Sequence, residues 1–168
     1  ENDILVVILN NMGDEIDIVV AIHDDNLLGA KNYTTTKLYD LPLCVAVSIN
    51  HKLATKEKLD ISDLYNENVM IIHKGWNKNI DKLRDDIEKN HSQINIVDFD
   101  FFSLELFNEC ENSNNILVLA DNFNNTHPLL KLVPVNWGYI IPFEMIHSSN
   151  PTKTVQKFID VISKKLYK

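Results

Sequence analysis

The sequence predicts an α/β protein in which one lobe is inserted into another. Three observations carry that expectation. Between residues 68 and 120, short apolar runs alternate with amphipathic stretches, the pattern of a βαβ lobe around a parallel sheet. Residues 41–49 (LPLCVAVSI) read as a strand leaving one region, and residues 139–147 (YIIPFEMIH) as a strand returning to it. The 168 residues suffice for one ordinary domain or for two small lobes sharing a hinge.

From the N-terminus, residues 3–12 (DILVVILNNM) place Ile4, Leu5, Ile8, Leu9 and Met12 at helical spacing. Asn2 or Asp3 can cap the start, and Gly13 fits the position just past the end. A strand reading of ILVVIL competes, because β-branched residues are dense there. Residues 16–22 (IDIVVAI) form a continuous apolar run, which predicts a strand buried on both faces of a parallel sheet. Residues 26–40 read as a loop and a short strand. Residues 41–49 set Leu43, Val45, Val47 and Ile49 against Cys44, Ala46 and Ser48. The charged stretch from His51 to Asp60 leads to a short helical turn that Ser62 can cap.

NVMII (68–72) is a buried strand, and HKGWN (73–77) is a tight loop. Ile80, Leu83 and Ile87 mark a helix running to about residue 89. INIVDF (94–99) is a strand, Ser103 opens a helix containing Leu104, Phe107 and Cys110, ENSNN (111–115) turns, and ILVLA (116–120) is a strand. A polar loop (121–128) precedes extended structure at 129–135. Pro142 places strand 139–147 at an edge or an irregular point. Asn150 and Pro151 read as cap and first helical residue. Val155, Phe158, Ile159, Ile162 and Leu166 then form an apolar stripe.

The formal charge is −8, from 16 basic and 24 acidic residues, and Arg84 is the only arginine. That disfavours nucleic-acid binding by this chain, since phosphate contacts need clustered Lys and Arg. No apolar run approaches the ~18 residues of a membrane span. Cys44 and Cys110 read as buried small hydrophobes in a reducing cytosol. The chain opens on Glu1 without a signal peptide and reads as a fragment or processed product.

Three stretches resemble the effector domain of LysR-type transcriptional regulators. GDEIDIVVAI (13–22) is similar to the family's step from a helix end into a strand. LPLCVAVSINHKLATKEKLDISDL (41–64) resembles its hinge strand, His-x-Leu-Ala step and short turn into the second lobe. HPLLKLVPVNWGYIIPFEMIHSSNPTKTVQKFIDVI (127–162) is similar to the domain's end, with a Trp-containing turn, a return strand and a last helix after Asn-Pro. The resemblance spans essentially the whole chain and rests on order and spacing, not on one motif. The family's first strand, helix and second strand, and its helix-turn-helix, have no counterpart here, and ENSNN replaces a Gly-rich step. The resemblance implies a two-lobed type II periplasmic-binding-protein-like fold, truncated at the N-terminus of lobe I. Lobe I would comprise 1–46 and 140–168 with the hinge strands, and lobe II 47–139. It also implies a cytoplasmic, non-enzymatic sensor of a small-molecule effector bound between the lobes. DNA would be bound only through a region absent from this chain, and the parent protein would be a homo-oligomer without membrane association. An extracytoplasmic solute-binding protein and an enzyme on a related fold are the alternatives.

In such folds ligands sit outside the carboxyl ends of parallel strands. The loops just after strands therefore supply the candidates. His73, Gly75, Trp76 and Asn77 follow one strand: Gly75 permits close backbone approach, Trp76 can cover an apolar ligand, and Asn77 can cap the helix and donate an amide. The plain structural reading is a turn with a packed tryptophan. Asp98, Phe99, Asp100 and Phe101 follow the next, the aspartates suited to a polar or cationic ligand; alternatively Asp100 or Ser103 is a helix cap and the phenylalanines are core. His23 and Asp24 end the first-lobe strand and could meet the ligand from that side, or read as a solvated strand end; Asp121 and Asn122 follow strand 116–120 and would line the same cleft. Trp137 reads as a turn residue, and Pro142 and Phe143 as shaping the hinge. The six histidines show no HxH or HExxH spacing, no serine sits in a nucleophile elbow, and four glycines form no phosphate loop. No metal, cofactor or catalytic set is therefore expected.

Overall fold

The structure is a computed structural model and describes residues 8, 10–22, 33–124 and 126–166. In chain order the elements are β1 (Ile18–Ala21), β2 (Tyr33–Ser48), β3 (Asn68–Ile72), α1 (Lys78–Asn90), β4 (Asn95–Phe99), α2 (Leu104–Glu111), β5 (Ile116–Ala120), β6 (Leu130–Pro134), β7 (Ile140–Ser148) and α3 (Lys153–Leu166). The chain divides into two compact units, Glu1–Asp40 with Pro142–Lys168, and Leu41–Ile141.

In the first unit β1 pairs antiparallel with β7, Val19 facing Ile146. The opening half of β2 lies along β7, where Thr36 Oγ1 is 3.2 Å from His147 Nε2. Met145 of β7 and Val155 and Ile159 of α3 form its buried centre, covered by Ile18, Leu38 and Ile162. Thr152 begins α3: its hydroxyl accepts from Val155 N at 3.3 Å and its carbonyl from Gln156 N at 2.9 Å. The cap expected at Asn150 is displaced by two residues, because Asn150 N is held by Ser148 Oγ in the preceding turn. Phe158, expected on the apolar stripe, is 51% exposed. Ile8 and Asn10 are helical and Gly13 takes φ +92°, the left-handed conformation that ends a helix. The rest of the expected first helix falls largely outside the described residues.

The run 16–22 departs from its expectation. Among the described residues β1 has β7 alone as partner and is antiparallel, and Val20 is 45% exposed. A continuous apolar run does not by itself specify burial on two faces. The stretch expected as a loop with a short strand is, from Tyr33 onward, the first half of the 16-residue β2. Its β-branched Thr34, Thr35 and Thr36 favour extended backbone despite their polarity.

In the second unit the strands run β6-β2-β5-β3-β4. β3 is parallel to β4 and β5, while β2 is antiparallel to β5 and β6. α1 and α2 are the crossovers β3–α1–β4–α2–β5 that parallel pairing requires. Ala46, Leu117, Met70 and Val97 fall in register across the sheet and lie under Leu106, Phe107 and Cys110 of α2. On α1, Ile80, Leu83, Arg84 and Ile87 are buried. The strand residues Leu43–Ser48 are all buried, so this half of β2 is covered on both faces. Each fully buried aliphatic side chain here contributes about 1.5–3 kcal/mol. In the turn at Ile61–Leu64 the cap residue is Asp60, whose amide is taken by Asp63 Oδ2 at 3.0 Å, and not Ser62.

Candidate functional site

The carboxyl ends of β3, β4 and β5 lie side by side because the three strands are parallel, and each opens into a loop. His73 N, just past β3, donates to Phe99 O at the end of β4 over 2.9 Å and ties the first two loops together. Gly75 takes φ +92°, and nothing lies within 4 Å of where a Cβ would stand, so the loop backbone is open there. Trp76 meets Phe102 edge-on at 6.3 Å between ring centres, and Phe102 meets Phe99 at 5.1 Å and Phe123 at 5.3 Å. Phe107 of α2 closes the group against Phe123 at 6.2 Å. One chain of aromatic rings thus joins the loops after all three strands.

Phe102 and Phe123 were not among the expected site residues. A signal for them exists: Trp76, Phe102 and Phe123 each follow a strand end (Ile72, Phe99, Ala120) by three or four residues. Phe101, which was expected, is 63% exposed and makes no ring contact among these.

The polar groups divide differently. Asn77 is buried and caps α1, accepting from Asn79 N at 2.9 Å. Asp81 accepts from Gly75 N at 3.1 and 3.2 Å. Ser103 caps α2, accepting from Leu106 N at 3.1 Å. Both helix N-termini, the natural anion sites of such folds, are therefore served by the chain's own side chains. Lys74 bonds Asp85, with Glu88 3.9 Å away, and the Asp85 carboxylate holds its ammonium above the usual lysine range. His73 Nδ1 lies 3.2 Å from Lys74 O. Asp98 alternates with Val97 and Phe99 along β4 and so points to the other face, where Arg84 Nη2 donates to it at 2.6 Å. Asp100 is exposed beyond β4. Asp121 and Asn122 are exposed in the short turn after β5. His23 and Asp24 lie outside the described residues.

Beside Asp121 the surface sinks into a recess of about 340 Å³ lined by Pro42, Leu43, Cys44, Leu132 and Pro134. Cys44 lies against it with its thiol pushed up to about 12 by burial and then by the Asp121 charge. Trp137 stands close by, its indole donating to Leu43 O at 2.8 Å, which agrees with its reading as a turn residue.

No protein-family model matches the chain, and no curated protein matches it in sequence. Solved structures do share its fold. The effector-binding domain of QuiR in complex with shikimate superposes with a TM-score of 0.69 at 16% identity, over 96% of this chain and 78% of that one. The regulatory domain of CcmR from Synechocystis, in complex with 2-PG, gives 0.63 at 16% identity, over 97% and 78%. CbnR, a LysR family transcriptional regulator, gives 0.71 at 8% identity, over 95% of this chain and 56% of that one. The resemblance read from residues 13–22, 41–64 and 127–162 is thus borne out in three dimensions. The chain has the fold of the effector-binding domains of LysR-type regulators, the two-lobed periplasmic-binding-protein-like α/β architecture.

Proposed function

We propose that this chain is the ligand-sensing part of a LysR-type transcriptional regulator, and that its effector rests against the loops after β3, β4 and β5. The observation that carries this reading is the likeness, over about 95% of the chain, to domains solved with small molecules bound. The joined loops add local support, since a ring-lined strand end with an adjoining recess suits a compact organic ligand. We assign His73, Gly75, Trp76, Phe99, Asp100, Phe102, Asp121 and Asn122 to its contact surface. Asn77 and Asp98 act behind them, as a helix cap and an arginine partner.

The ligand works by linkage: it must favour one arrangement of the protein over another, and the difference in affinity sets the size of the response. DNA is read by another part of the protein, because a chain of charge −8 is a poor partner for phosphates. The parent assembles as a homo-oligomer in the cytoplasm and catalyses nothing. Among the described residues no helix is long and apolar enough to cross a membrane. The test is a thermal-shift screen of the full-length protein carrying this chain against a metabolite library. A ligand at a hundred times its Kd adds about 2.7 kcal/mol to stability. A hit that also changes promoter binding, and is lost in Trp76→Ala, supports the reading. A well-folded protein that no metabolite stabilises counts against it.

A further inference from the structure

We infer that the recess beside the β5 turn takes a small organic cation, a protonated amine on a compact apolar body, with Asp121 as its counter-charge. The inference rests on the effector reading, since Asp121 belongs to the same strand-end set, and it narrows the ligand's chemistry. At about 340 Å³ the recess reaches the lower range of small-molecule sites and admits one ring with a short arm. Its walls are apolar: Pro42, Leu43, Leu132, Pro134 and the Cys44 thiol, which stays protonated and donates to Leu119 O at 3.5 Å.

Two residues with polar side chains, Asp121 and Asn124, line the recess, and among the described residues no lysine, arginine or histidine lines it. Asp121 shares the lining with Cys44, and its charge adds to the rise of the Cys44 pKa that burial causes. A carboxylate ligand would meet that charge with no compensating cation among the described lining residues. The groups nearby that hold anions in other α/β folds are committed here. Arg84 serves Ile71 O, Ile72 O and Asp98, and Lys74 serves Asp85. The loop amides of Gly75, Asn79 and Leu106 are taken by Asp81, Asn77 and Ser103. An amine inverts the balance: it satisfies Asp121, can donate to the Asn124 carbonyl, and buries its body against the apolar wall.

The test is nitrogen-15 correlation NMR on the chain with three probes of one shape: benzylamine, benzyl alcohol and benzoate. Benzylamine is expected to shift the amides of Leu43, Cys44, Asp121 and Asn124 saturably, benzyl alcohol more weakly, and benzoate not at all. Asp121→Asn should weaken benzylamine about fivefold, as fits a solvent-facing charge pair, and leave benzyl alcohol unchanged. Benzoate shifting those four amides as strongly as benzylamine, or benzylamine shifting none of them, overturns the inference. Benzoate shifting only Gly75, Trp76 and Phe102 also overturns it, while leaving the effector reading in place. Benzylamine bound at the recess beside a silent metabolite screen would sink the regulatory reading alone.

Discussion

Arg84 Nη2 donates to Asp98 Oδ1 over 2.6 Å, while Nη1 of the same guanidinium holds Ile71 O at 3.2 Å and Ile72 O at 3.0 Å. The sole arginine of the chain thus fastens α1 to the carboxyl end of β3 and to β4. Its two sides are unequal: the Arg84 side chain is 5% exposed and that of Asp98 64%. Removing Asp98 leaves a guanidinium that still serves two carbonyls, whereas removing Arg84 takes a buried donor from both carbonyls and the partner from Asp98. Asp98→Ala should cost about 1 kcal/mol and Arg84→Ala about 3 kcal/mol, read from urea unfolding. Equal losses from the two variants would show that the carboxylate, and not the carbonyl pair, fixes the arginine.

Phe102 is the central ring of the strand-end cluster, in contact with Trp76, Phe99 and Phe123. Phe102→Ala should cost about 2 kcal/mol, less than a fully buried phenylalanine because this ring is half-buried. The three loops would lose their common contact. The expected sign beyond stability is a weakened near-ultraviolet circular dichroism band from Trp76 with the far-ultraviolet spectrum retained. An unchanged aromatic band would mean that Trp76 is held without Phe102.

The sheet of the second unit was legible because its signals are local. NVMII, the Ile80–Leu83–Ile87 spacing, INIVDF and ILVLA each carry their own period, and Asn77 and Ser103 sit where capping chemistry puts them. Polarity hid the strand from Tyr33 onward, whose threonines resemble a loop in composition though not in β-propensity. β1 departs from its expectation for the opposite reason, since an apolar run does not reveal whether one neighbour or two will cover it. At the candidate site the loops were legible, and the sorting of their side chains was not. Asp98 and Phe99 are adjacent in sequence and on opposite faces of the sheet, and only the position of Arg84 on α1 says which face engages the aspartate. The recess was unreadable because its walls come from residues 42–44, 121–124 and 132–135, which only the antiparallel pairing of β2 with β5 and β6 brings together.

Cys44 and Cys110 are both buried, and burial pushes each thiol up to about 12. Cys110 Sγ donates to Asn115 O at 3.5 Å and Cys44 Sγ to Leu119 O at 3.5 Å, so each behaves as a small core residue with a weak donor. The thiolate is the reactive form, and almost none exists near neutral pH. Titration with an aromatic disulfide reagent should find neither thiol reactive in the native protein and both reactive in denaturant. Rapid native labelling at either position would show that its element opens locally.

His51 gives the molecule a pH dependence whose sign follows from its surroundings. The ring is 7% exposed, its Nδ1 accepts from Leu53 N at 3.2 Å, and Glu67 lies 3.9 Å from Nε2. Burial lowers its pKa below the ordinary value of 6.5, Glu67 opposes that, and Lys52 reinforces it. The folded chain therefore binds fewer protons at this site than the unfolded chain once the pH drops below about 6.5. The contribution to stability is complete above that value and is lost as the pH falls through the lowered pKa. One proton limits the slope to about 1.4 kcal/mol per pH unit. His51→Asn keeps a side-chain acceptor for Leu53 N and removes the titration. Urea unfolding followed downward from neutral pH should give a shallower decline for the variant than for the parent. Parallel curves would locate the acid sensitivity elsewhere, in the carboxylates of Asp63 and Asp86, whose pKa values are lowered chiefly by hydrogen bonds from Lys56 and Asn90.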